Sequence, residues 1–346
     1  MPRTVLLRDW IARQFPDQAC RIEPASADAS FRRYFRVTLE DGTTRIVMDA
    51  PPEHEDCRPF LKIAALLRAV GVNAPEVYAE DLAQGFLLLS DLGATTYLDR
   101  LDAASAPQLY RDACRALIAM QAATAQAAGQ LPAYDRALLE RELQLFPEWY
   151  VGRHLGATLD SAQQTTLRTV FDTLIANNLA QPQVFVHRDY HSRNLMLIEG
   201  AGSSANFPAN FPTNPGILDF QDAVLGPITY DAVSLFRDAY INWEEDRELD
   251  FVIRYWEAAR QAGLPVHADF AEFYRDYEWM GAQRQLKVLG IFARLCHRDG
   301  KDGYLKDMPR VLGYLRHTCE RYLELRPLAR LLDKIEQRTV DVGYTF

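Results

Sequence analysis

Asp189, Asn194 and Asp219 are the residues of this 346-residue chain whose types and spacing could do chemistry. The first two share one stretch, Val184-Phe185-Val186-His187-Arg188-Asp189 running on to Asn194, and the third ends the apolar run Gly216-Ile217-Leu218-Asp219. A carboxylate just past a buried strand can take the proton of a hydroxyl. An amide oxygen and a second carboxylate are hard donors of the kind that hold magnesium. A base for a hydroxyl, together with a hard-cation site, is the equipment of phosphoryl transfer. That reaction asks a protein for in-line geometry, charge neutralisation and a place for one proton, with little covalent work. A lone Asp is more often a turn residue or a helix cap, but that does not account for three such groups, each beside a short apolar strand.

The spacing is the H-R-D-x-x-x-x-N form of a kinase catalytic loop, and Asp219-Phe220-Gln221 stands where a protein kinase carries D-F-G. Asp189 is then the candidate base, and Asn194 and Asp219 are the candidate metal ligands. His187 is grouped with them as a packed scaffold residue, and His191 and Arg193 lie inside the loop. Asp231, just before an apolar helix, caps that helix, ties down the loop, or does both. Two features depart from the kinase pattern. The segment Ser26–Val37, where phosphates would be covered, has no glycine, and Met48 falls where V-A-I-K would carry its lysine. Ser30 and an arginine, Arg33 before Arg32, are the expected phosphate contacts. Leu89, Ser90 and Leu92, in the stretch Phe86–Gly93, form the expected hinge for a nucleotide base.

The elements that must position these groups can be read from periodicity. A short amphipathic helix is expected over 4–15. Strands over 30–39 and 44–49 flank Asp41-Gly42, a hairpin signal. A helix over 53–70 and strands over 75–78 and 86–90 complete the first ninety residues. After Leu92 the pattern is helical: 103–128, 138–155 bent at Pro147, 161–179, 231–242, 245–263, 268–296 and 307–337. Short strands at 184–186 and 194–198 bracket the loop. The fold class expected is α+β, a two-lobed protein-kinase-like fold. Residues 1–90 would form a small β-rich nucleotide-binding lobe, and residues 91–346 a larger, mostly helical catalytic and acceptor-binding lobe. The low-complexity stretch 200–215, with its doubled Ala-Asn-Phe-Pro, reads as a tolerated surface insertion.

Composition narrows the field. A hydrophobic fraction of 48%, a charged fraction of 25% and a net charge of −9 fit a soluble protein and disfavour a general nucleic-acid binder. The N-terminus lacks a signal-peptide pattern, and no apolar run is long enough to span a bilayer, so no membrane association is expected. Five scattered cysteines (Cys20, Cys57, Cys114, Cys296, Cys319) without a C-x-x-C pair suit a reducing cytoplasm.

These motifs resemble the aminoglycoside phosphotransferase and choline kinase family. The likeness is strongest at His187–Asn194, Ile217–Phe220 and Gly226–Leu235, where Pro227 and Asp231 fit the family's P-x-x-x-D helix start. Within it, Val47-Met48-Asp49-Ala50-Pro51-Pro52, Leu145–Leu155 and Gln283–Leu295 are similar to the bacterial anomeric kinases of N-acetylmuramate and N-acetylglucosamine that serve peptidoglycan recycling. The resemblance implies ATP and Mg²⁺ as cofactors, a small-molecule amino sugar as acceptor and a sugar 1-phosphate as product. It also makes the missing lysine a habit of the subgroup. An acceptor site is expected from Asp189 and Asp222, from Glu148 and Arg153, and from Arg284 and Lys287, whose spacing of three also fits a solvated helix face. A kinase of an aminoglycoside, choline or amino alcohol, and a non-catalytic nucleotide-binding module, remain the alternatives.

Overall fold

The structure is a computed structural model that describes residues 2–27, 31–198 and 214–336. Ser30 and most of the 200–215 stretch lie outside the described residues. The chain forms two compact units, Met1–Gln126 with Arg193–Ala223, and Ala127–Ser192 with Val224–Phe346. The division falls inside the catalytic-loop motif, after Ser192.

The first unit is built on a five-stranded antiparallel sheet. Its elements are α1 (Arg3–Gln14), β1 (Cys20–Ala27), β2 (Arg33–Leu39), β3 (Thr44–Asp49), α2 (Arg58–Ala69), β4 (Val77–Asp81), β5 (Phe86–Ser90) and α3 (Ala106–Ala122), with sheet order β1-β2-β3-β5-β4. The Asp41-Gly42 turn joins β2 to β3 with Gly42 at φ +81°, a value that glycine adopts without steric cost. Strand periodicity sorts the side chains of the sheet. On one face Val37, Val47, Phe86 and Leu88 pack against Leu7, Trp10 and Ile11 of α1. On the other face Tyr34, Ile46 and Leu89 border a cavity. Strand β1 was not expected, because Pro24 interrupts its pattern, and the register with β2 slips there between Pro24 and Ser26. Helix α2 begins at Arg58 rather than near residue 53, with a proline in its first turn. A two-residue ladder pairs Leu195–Met196 with Gly216–Ile217, and Asn214 closes the base of the insertion by bonding the amide and carbonyl of Ile198 at 2.7 and 3.2 Å.

The second unit is helical around one small ladder. It contains α4 (Arg136–Leu145), α5 (Ser161–Ala180), β6 (Gln183–Val186), β7 (Val224–Pro227), α6 (Tyr230–Phe236), α7 (Glu245–Gln261), α8 (Phe270–Asp299), α9 (Met308–Arg321) and α10 (Arg326–Ile335). Helix α8 spans 30 residues and packs against α4, α5, α6 and α9. It is therefore buried on most sides, the condition in which a helix stops being amphipathic. Gly290 lets α8 approach α4 closely, since a Cβ there would sit 2.4 Å from the carbonyl carbon of Leu145. The bend expected at Pro147 is a π-helical segment, Phe146–His154, following α4. Proline offers no amide to an α-helical bond, and the chain widens its turn there. The helix expected over 307–337 is broken at Tyr322, which is extended, and restarts with Pro327 in the first turn of α10.

Candidate active site

In the first unit, a cavity of about 360 Å³ is lined by Tyr34, Ile46, Phe60, Leu89, Met196 and Leu218, together with the polar Asn194 and Asp219. The three expected hinge residues, Leu89, Ser90 and Leu92, all line it. This stretch is fixed to the sheet: Arg36 reaches both carboxylate oxygens of Asp91 at 2.6 and 3.0 Å and the carbonyl of Gly93 at 2.8 Å. Asn194 and Asp219 meet here, the amide Nδ2 donating to Oδ2 at 3.3 Å. Gln221 donates to the other oxygen, Oδ1, at 2.8 Å. Asp219 has φ +62°, a conformation that Asp tolerates better than most residues. Asp222 is exposed on the turn that follows.

Arg33 is not brought to the cavity. Side chains alternate along β2, so Arg33 shares the α1 face with Phe35 and Val37. There its Nε donates to Asp49 at 3.1 Å, and Asp49 also accepts from Arg3 at 2.6 Å. Arg32 has the parity of Tyr34 and Arg36. Its side chain is 11% exposed, with Nη2 3.8 Å from Asp219 Oδ1 and Nε 3.8 Å from Glu55 Oε2.

In the second unit, the loop that carries Asp189 is held by two buried carboxylates from one side. Asp231 accepts the amides of His187 at 2.7 Å and Arg188 at 3.0 Å, and Asp238 accepts the amide of Ser192 at 2.8 Å. Asp231 lies inside the first turn of α6, so it binds the loop and is not the cap. Burial pushes its carboxyl up to about 7, against the pull of the two amides. His187 is fully buried and accepts the Asp189 amide on Nδ1 at 3.2 Å, a scaffold position.

From α8, Arg284 donates to the carbonyl of Arg188 at 2.9 Å and to Tyr230 Oη at 3.2 Å, and its Nη2 lies 3.8 Å from Asp189 Oδ1. Lys287 donates to Tyr230 Oη at 2.9 Å and pairs with Glu142 of α4 at 2.9 Å. Glu142 also takes the Arg188 guanidinium at 2.5 Å and the hydroxyl of Tyr134. Arg188 has φ +79°, which costs a residue with a side chain about 1–3 kcal/mol. Its amide, carbonyl and guanidinium are each bound by a different partner, and that over-determination keeps the strained conformation in place. Burial works against ionising Asp189, but Lys287, Arg284, His191 and Arg188 outweigh it and hold the carboxyl at about 2. Glu142 follows the same rule: burial alone would raise it, and Lys287 and Arg188 bring it below the ordinary value.

Arg284 and Lys287 are thus buried supports of the loop and not a solvated face. Glu148 and Arg153 are exposed on the π segment. Glu142, Tyr230 and Asp238 escaped the sequence reading. Glu142 did leave a trace, because it falls with Leu139 and Leu143 on the buried face of α4, where a carboxylate demands partners.

The donor set suits magnesium. Asn194 and Asp219 could offer one neutral and one charged oxygen donor, and among the described residues no group of three or more His, Cys, Asp or Glu side chains could hold a metal alone. An ion that keeps waters and binds mainly through substrate phosphates needs no more protein ligands than these. Among the described residues, no helix is long and apolar enough to cross a membrane.

Comparison with known proteins adds the family. Residues 21–273 match the model of a phosphotransferase enzyme family. A Pseudomonas aeruginosa protein named N-acetylmuramate/N-acetylglucosamine kinase is 51% identical over 314 residues, covering 91% of this chain and 88% of that protein. A Neisseria meningitidis protein of the same name is 46% identical over 351 residues, covering 100% of both. The crystal structure of a choline/ethanolamine kinase family protein from Mesorhizobium loti superposes with a TM-score of 0.60 at 15% identity, over 96% of this chain and 99% of that one. At that identity it speaks for the fold, and the fold is the kinase-like α+β one expected from the sequence.

Proposed function

Since the chain belongs to the phosphotransferase enzyme family, we propose that it transfers the γ-phosphoryl group of ATP to the anomeric hydroxyl of N-acetylmuramate and N-acetylglucosamine. The product is the sugar 1-phosphate that peptidoglycan recycling would use, made in the cytoplasm. The observation that carries the acceptor is the 51% identity, over 91% of the chain, with a relative that bears that name.

Asp189 takes the proton of the anomeric hydroxyl as that oxygen attacks the γ-phosphorus. An anomeric hydroxyl is more acidic than an ordinary alcohol, so a carboxylate that is already ionised suffices as base. Lys287, Arg284 and Arg188 keep it ionised, and Asp231 and Asp238 hold the loop that aims it. His187 serves as a scaffold. Asn194 and Asp219 hold the magnesium ion, which when bound neutralises charge on the phosphates. Leu89, Ser90 and Leu92 take the nucleotide base, and Ser30 contributes to phosphate binding. Glu148, Arg153 and Asp222 are the exposed polar groups proposed to meet the sugar.

The test is ADP release with N-acetylmuramate, N-acetylglucosamine, choline and an aminoglycoside, each offered with Mg²⁺ and ATP. Turnover on the two amino sugars alone supports the assignment. Turnover confined to a cationic acceptor overturns it.

A further inference from the structure

We propose that Arg32, held by Glu55, is the phosphate-binding cation of this chain, in place of the lysine that Met48 displaces. The proposal rests on the ATP-dependent reading above. A kinase sheet ordinarily carries a lysine on its third strand. That lysine faces the nucleotide phosphates and is held by a glutamate, close to the metal-binding aspartate. In this chain the third-strand position is Met48, which is 1% exposed and shares the parity of the cavity-lining Ile46. The charge cannot come from that strand.

Arg32, the residue that leads into the neighbouring strand β2, has two of these relations, a glutamate partner and proximity to Asp219. It stands immediately before β2, two residues ahead of Tyr34, and Tyr34 is the β2 partner of Met48 in the sheet register. Its guanidinium lies 3.8 Å from Asp219 Oδ1 and 3.8 Å from Glu55 Oε2, with the side chain 11% exposed. The charges of Asp219 and Glu55 thus help to orient the guanidinium beside the candidate metal ligand. Glu55 does more than neutralise. Its other oxygen accepts the amide of Phe31 at 3.2 Å, and the Phe31 ring stacks on His54 at 4.4 Å. The segment that enters β2 is thereby fastened to the 54–55 turn by backbone and by ring. This fixes the start of a strand that follows a glycine-free stretch of sequence. Guanidinium geometry favours the substitution, since its planar fork can meet two phosphate oxygens at once.

The test separates the nucleotide from the acceptor. Binding of a fluorescent ATP analogue with Mg²⁺ is measured without any sugar, and then kcat and KM for ATP are measured with N-acetylmuramate. Arg32→Met should weaken analogue binding and lower kcat/KM for ATP by about 10- to 100-fold. KM for the sugar should stay within about threefold. Arg32→Lys, which keeps the charge, should recover about half of that loss on a logarithmic scale, and it also guards against a folding defect in the Met variant. In the double variant Arg32→Met with Met48→Lys, returning a lysine to the third strand should restore analogue binding by about tenfold. Glu55→Gln should lower kcat/KM for ATP about three- to tenfold. Analogue binding within threefold of wild type in Arg32→Met overturns the assignment. A double variant no better than Arg32→Met shows that Arg32 does not fill the lysine's role. If the chain turns over no amino sugar, the binding arm still decides the matter, so the two readings fail separately.

Discussion

Removing the charge of Glu142 tests whether the cluster beneath Asp189 is one unit. Glu142 has 5% of its side chain exposed and holds Lys287 at 2.9 Å and Arg188 at 2.5 Å, themselves 7% and 18% exposed. Glu142→Gln leaves two buried cations facing a neutral amide. Breaking a buried ion pair from one side costs about 3–5 kcal/mol, because a desolvated charge is left without its partner. Lys287→Met alone should cost somewhat less, since Arg188 still neutralises Glu142. The double variant removes one charge of each sign and returns the site to near balance. It should therefore be more stable than the sum of the single losses by about 1–3 kcal/mol. Urea unfolding followed by tryptophan fluorescence suits the question. Four of the five tryptophans (Trp149, Trp243, Trp256, Trp279) belong to the second unit, so the signal reports mainly on the unit that contains the cluster. A Glu142→Gln loss below about 1 kcal/mol, or strict additivity in the double variant, would mean that these charges are not coupled.

The remaining predictions probe the loop and its packing. Asp189→Asn should keep nucleotide binding and the fold while lowering kcat by about 10²- to 10⁴-fold, as measured by ADP release. Because Asp189 is held at about 2, below the ordinary carboxylate value, its ionised form and the stability tied to it are complete above about pH 4. The stability is lost progressively as pH falls from about 4, and the ionised form as pH falls through about 2. The profile of kcat/KM should thus show no acid limb from Asp189 above about pH 4, and Lys287→Met should move such a limb upward. Asp231→Ala strips two amides of their acceptor and should cost about 2–4 kcal/mol in urea unfolding, with kcat falling more than KM rises. Gly290→Ala should destabilise by about 1–3 kcal/mol, because its Cβ would meet the backbone of Leu145.

Much of this arrangement could be read from residue order alone, and the reasons differ from place to place. The loop 187–194 was legible because its donors must sit at fixed offsets on one short turn. The 86–93 stretch stood out because an apolar strand ends there in polar residues, and Leu89, Ser90 and Leu92 line the cavity. The choice between Arg32 and Arg33 was open to a parity argument, since Tyr34 and Arg36 alternate with Phe35 and Val37, but only once one face is known to meet α1. Arg284 and Lys287 were noticed as charges three apart on a helix. Their burial was hidden, because α8 is enclosed by helices that come from distant parts of the chain. Glu142 and Asp238 were overlooked for the same reason: each binds a partner 46 residues away or more, and no local pattern records such a pairing.

Transfer of a phosphoryl group to an anomeric oxygen can be read by ³¹P NMR. The reaction would contain ATP, Mg²⁺ and N-acetylmuramate, with Asp189→Asn as the control. A new phosphate signal coupled to the anomeric proton should be formed by the wild type and absent with the variant. A phosphate signal coupled to another sugar proton, or an anomeric phosphate formed equally well by Asp189→Asn, would contradict the assignment.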